Sequence, residues 1–93
     1  MKTHMLKSWP EYFRASVEGQ KDFEVRKNDR DFEEGDRLTL LEWSPIKRQY
    51  TGAHINAVIG RVFKLDALGY DGIVVFNVIG WHSWTDDPEQ EVK

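Results

Sequence analysis

Ala53-His54-Ile55-Asn56-Ala57-Val58-Ile59-Gly60-Arg61-Val62-Phe63-Lys64-Leu65 decides how this chain folds. Ile55, Ala57, Ile59, Phe63 and Leu65 share one parity, the period of a strand with one face buried. Gly60 falls mid-run and predicts a bulge or bend, as the corner of a small barrel requires. On the C-terminal side, Asp66 to Gly72 reads as a loop. Ile73 to Ile79 is nearly all apolar and predicts a strand covered on both faces. On the N-terminal side, Arg37 to Trp43 predicts another strand, and Ser44 to Gly52 a loop.

The first third of the chain adds a helix and two short strands. Residues 3–8 are expected to form a strand. Ser8-Trp9-Pro10-Glu11 has capping-box spacing with proline in the first turn, so a helix starts there. Trp9, Tyr12, Phe13 and Val17 give it one apolar face, and Gly19 stops it. Residues 22–26 predict a strand with Phe23 and Val25 in the core and Asp22, Glu24 and Arg26 outside. The expected class is mainly β (α+β): a small, mostly antiparallel barrel with one N-terminal helix packed against it. Barrel closure would remove exposed sheet edges. An open α+β sandwich is the other architecture these elements allow.

At 93 residues, the chain has room for one core. We expect a domain over residues 1–80 and an aromatic, then acidic, tail over residues 81–93. No apolar run approaches the roughly 20 residues that span a bilayer. The N-terminus has no secretory pattern. With no cysteine, disulfides, thiolate metal sites and cysteine nucleophiles are excluded, and the expected compartment is cytoplasmic. The net charge of −3 is uneven. Residues 1–30 hold seven Lys/Arg against five acids, whereas residues 81–93 hold four acids and one lysine. A locally basic face can bind phosphate without dominating the surface.

The candidate site is the stretch Gly19-Gln20-Lys21-Asp22-Phe23-Glu24-Val25-Arg26. Arg26 offers a planar fork for phosphate or a base edge. Lys21 offers a mobile cation, or a nucleophile or base if desolvated. Glu24 can accept from a nucleobase amine or position Arg26. Lys21 has the wrong parity to meet Glu24 unless the chain still turns at Gly19–Gln20, which glycine permits. The alternative reading of all three is a surface row of ion pairs, each contributing about 0–1 kcal/mol. Lys27 and Arg30 are further phosphate candidates on a loop where Asn28 and Asp29 form a turn. Trp9 and Trp43 lead Tyr50, Trp81 and Trp84 as bases for stacking, although core or edge packing is the commoner fate of each. His4 can face the cleft. His4, His54 and His82 lack the spacing of a metal site, and no metal or cofactor is expected.

The pattern Gly19-x-Lys21-x-x-Glu24-x-Arg26, following a helix and entering a strand, resembles the signature of the ASCH domains, a branch of the PUA-like barrels. The likeness continues through Lys27-Asn28-Asp29-Arg30-Asp31-Phe32, Gly35-Asp36, Leu38, Leu40, Glu42-Trp43 and Tyr50-Thr51-Gly52, covering about residues 3–80. It looks like a small stand-alone subfamily of unknown function, of bacterial and phage type. The resemblance implies a PUA-like barrel whose motif lines a cleft between helix and barrel, and a role in binding RNA or a nucleotide-like ligand. Some ASCH relatives are similar to amidohydrolases of acylated pyrimidine nucleosides, in which a lysine, a threonine and a glutamate carry the chemistry. Lys21 matches that lysine. Glu24 stands where the threonine would be, and nothing here matches the catalytic glutamate. A binding module therefore ranks ahead of an enzyme using Lys21 and Glu24, and a protein-interaction domain is the third reading.

Overall fold

The computed structural model describes residues 1–84. It comprises β1 (Thr3–Ser8), α1 (Pro10–Val17), β2 (Phe23–Lys27), β3 (Arg37–Ser44), β4 (Gln49–Lys64), a short 3-10 turn (Asp66–Leu68) and β5 (Ile73–Trp84). The strands form one sheet in the order β1-β3-β4-β5-β2. β1 runs parallel to β3, and the other three pairings are antiparallel. The sheet curls into a half-barrel with the single helix against it, the class expected from the sequence. Its concave side holds Leu6, Leu38, Leu40, Ile55, Ile59, Val74, Phe76 and Val78, joined by Phe13 from α1 and Phe32 from the loop after β2.

The ladder does not close. Lys2 O accepts from Arg37 N toward β3, so the main chain of residues 3, 5 and 7 faces away from β3. Asp22 O accepts from Val78 N and Asn28 N donates to Gly72 O, both toward β5. The main chain of residues 23, 25 and 27 therefore faces the opposite way. The two sheet edges are bridged by side chains instead. Arg26 Nη2 donates to Lys7 O at 3.1 Å, and Arg30 Nη1 to Met5 O at 2.8 Å.

Gly60 marks a bulge, as its position predicts: the β4–β5 register shifts between Ile59 and Val62. A Cβ at Gly60 would collide with Asn77 Oδ1, the atom that accepts from Arg61 N at 2.6 Å. The extra residue reverses the parity expected for the end of β4. Val62 packs on the core and Phe63 is exposed.

Other expectations are corrected. Ser8 does not cap α1; it is the buried last residue of β1, opposite Glu42. Trp9 is the N-cap and makes no side-chain cap. The helix buries Phe13 and Ser16, leaving Trp9, Tyr12 and Val17 exposed, because eight residues offer the sheet only a narrow stripe. Gly19 ends the helix as expected, with φ 76°. Gln20 N donates to Ala15 O and Gly19 N to Ser16 O, a Schellman closure. β5 is covered on one face only: Val74, Phe76 and Val78 are buried, while Asn77 and Ile79 are exposed. It continues to Trp84, four residues into the expected tail. The side chains of Trp81, His82 and Trp84, and residues 85–93, lie outside what the structure describes.

His4 does not face a cleft. It is buried, with its ring 4.6 Å from that of Phe32, and donates through Nε2 to Asp36 Oδ2 at 2.8 Å. Asp36 also accepts from the Lys2 and Glu33 amides, so this carboxylate ties β1 to the turn before β3. Burial acts to raise the Asp36 pKa, but the hydrogen bonds from His4, Lys2 and Glu33 outweigh it and hold the pKa below its ordinary value of 3.8.

Two outcomes are expected. A carboxyl with a depressed folded pKa stabilises the fold above its ordinary value, and that stability is lost as pH falls through the folded pKa. Urea midpoints should fall with acidification below 3.8, and Asp36→Asn should flatten that dependence. Gly60→Ala should cost about 1–2 kcal/mol in urea denaturation by displacing Asn77 from the Arg61 amide. Combined with Asn77→Ala it should cost less than the sum of the two changes.

Candidate functional site

The motif residues meet at the open edge of the half-barrel. Lys21 precedes β2, where the chain is still turning after Gly19, and this brings it to Glu24 despite the parity. Lys21 Nζ donates to Glu24 Oε2, and to Phe23 O at 2.8 Å. Arg26 approaches from the other side: Nε and Nη2 donate to Glu24 Oε1 at 3.0 and 2.8 Å. The Glu24 side chain is only 4% exposed, against 19% for Lys21 and 27% for Arg26.

This reverses the expected facing of β2. Glu24 points inward, and Phe23 and Val25 are exposed at 45% and 54%. A carboxylate can be buried here because two cations and three donated hydrogen bonds replace its water. It is more than an exposed row of ion pairs. Both oxygens are committed, so Glu24 positions the cations rather than presenting itself to a base. The Lys21 ammonium is likewise held between Glu24 and a carbonyl.

Around this cluster lies a hollow of about 440 Å³. Lys7 and Ser8 from the end of β1 and Trp9 and Tyr12 from the start of α1 form one wall. Lys21, Phe23, Glu24, Val25 and Arg26 form the other. The charged residues of the lining are three cations and one carboxylate. Trp9, Tyr12 and Phe23 are about half exposed, so the aromatic rings are accessible beside the charges. Trp9 is thus placed as expected.

Trp43 is not in this lining. It packs edge-on against Tyr50 at 5.0 Å, and Lys7 Nζ, from the wall of the hollow, lies 4.0 Å from its ring centre. Lys27 and Arg30 lie instead around a second hollow of about 200 Å³, which Arg26 also lines. Asn28 forms the expected turn, its Oδ1 accepting from Phe32 N at 3.1 Å. Lys7, Ser8, Tyr12, Phe23 and Val25 were not singled out from sequence as site residues. The usable signal was positional, since a strand running directly into a helix opens a wedge at the junction. Among the described residues, no group of three His, Asp or Glu is placed to hold a metal ion, and no helix is long and apolar enough to cross a membrane.

Two comparisons bear on this site. A family described as a domain of unknown function, DUF3850, matches residues 3–78, a span that holds β1, α1 and the whole motif. The chain is also 35% identical over 79 residues to a protein of Escherichia phage P2 described as an uncharacterized 12.9 kDa protein in the GpA 3′ region. The alignment covers 85% of this chain and 71% of the phage protein.

Glu24→Gln tests the cluster. Losing the only carboxylate between two cations should destabilise the fold by about 1–3 kcal/mol in chemical denaturation. Lys27→Ala, an exposed change in the same strand, should stay within about 0.5 kcal/mol.

Proposed function

The chain belongs to the DUF3850 family, and on that premise we propose that it is an RNA- or nucleotide-binding module whose ligand enters the hollow between the β1–α1 junction and β2. The observation that carries this reading is the pairing of exposed rings with fixed cations in one cavity. Trp9, Tyr12 and Phe23 offer faces on which an unpaired base can stack, and Lys7, Lys21 and Arg26 lie beside them for its phosphate. Glu24 has a positioning role: it holds Lys21 and Arg26 at fixed places, which reduces the ordering cost of binding. The size suits the purpose, since small-ligand pockets run from about 300 to 1,000 Å³.

A PUA-like, ASCH-type ancestry is part of the same proposal. It is supported by the motif's placement between α1 and β2 and by the curled sheet beside it. Action in the cytoplasm belongs to it as well.

A labelled hexauridylate RNA, followed by fluorescence anisotropy, tests the proposal. Affinity should fall with added salt, as phosphate contacts release counterions. Trp9→Ala, at a half-exposed position, should cost about 1–3 kcal/mol of binding while leaving the thermal midpoint nearly unchanged. Binding indifferent to salt and to Trp9→Ala would refute it.

A further inference from the structure

We infer that the ligand is a strand with at least two phosphates, lying across Arg26 from the larger hollow into the smaller one; this rests on the nucleic-acid reading above. Arg26 lines both cavities, so they are neighbours. Their linings differ in kind. The larger holds the exposed rings. The smaller holds Arg26, Lys27 and Arg30 against the single carboxylate of Asp29, and its one aromatic ring, Phe32, is buried in the core. It has no exposed face for a base but an excess of cations, which suits a phosphate.

The main chain supports the same path. The edges of β1 and β2 facing this gap carry the amides of Met5, Lys7, Val25 and Lys27. Among the described residues, none of these has a hydrogen-bond partner across the gap. The carbonyls of Met5, Lys7 and Phe23 on those edges already accept from Arg30, Arg26 and Lys21. What remains along the gap is those four amides against the Val25 and Lys27 carbonyls, and an excess of donors between two cationic hollows suits a chain of anions. The base sits in the larger hollow, one phosphate lies beside Arg26, and the next is held by Lys27 and Arg30.

The test compares uridine 5′-monophosphate with hexauridylate by calorimetry, using wild type, Lys27→Glu and Lys64→Glu. Lys27 and Lys64 are both exposed, and Lys64 lines neither hollow, so it controls for net charge. Hexauridylate should bind more tightly than the monophosphate. Lys27→Glu should weaken hexauridylate roughly 5- to 10-fold and lower its salt slope, with less than about a 2-fold effect on the monophosphate. Lys64→Glu should change neither. Equal effects of the two substitutions, or hexauridylate binding no tighter than the monophosphate, would overturn the two-phosphate path and leave the larger hollow as a nucleotide site. Failure of both ligands to bind would overturn the path and the reading beneath it.

Discussion

One guanidinium joins a buried charge to the seam of the sheet. Arg26 is at once a counter-ion of a buried carboxylate, beside Lys21, and a link between the two open edges of the sheet, beside Arg30. It supplies two of the three hydrogen bonds donated to Glu24, and a buried carboxylate needs opposite charge and such bonds to offset lost hydration. The planar fork makes the double role possible: Nε and Nη2 face the carboxylate, and Nη2 also reaches the Lys7 carbonyl. The wedge between β1, α1 and β2 is open because the edges are spanned at points rather than zipped along their length.

Much of the architecture was legible in the sequence because it follows from local rules. Ile55, Ala57 and Ile59 alternate into the core as read, Gly60 marks a bulge, and Gly19 turns the chain so that Lys21 reaches Glu24. Errors arose where one interaction outweighed the local pattern. In β2, Phe23 and Val25 look like the buried pair. The inward side of that strand is set by the Glu24 cluster, and one of its partners, the Lys7 carbonyl, is distant in sequence. In β4 the glycine signals the bulge, but the one-residue register shift that turns Phe63 outward shows only in the pairing with β5.

The site was half legible for a similar reason. Lys21, Glu24 and Arg26 form a cluster that eight consecutive residues can reveal. Arg30 and His4 make contacts with partners far away in the chain: the Met5 carbonyl for one and the Asp36 carboxylate for the other. Nothing in the sequence around His4 distinguishes a core histidine paired to an aspartate from one at a cleft. Tyr12 reads as part of the helix's apolar face, whereas a helix this short shelters only Phe13 and Ser16.

The carbonyls that Arg26 and Arg30 grasp on β1 belong to the backbone, which every amino acid supplies. The seam is consequently blind to what stands at positions 5 and 7, whose side chains are exposed. Side chains at both positions can change without loosening it, while the two arginines cannot. Lys7 is tied by its place in the larger hollow, so Met5 is where the surface chemistry can vary beside an otherwise fixed frame.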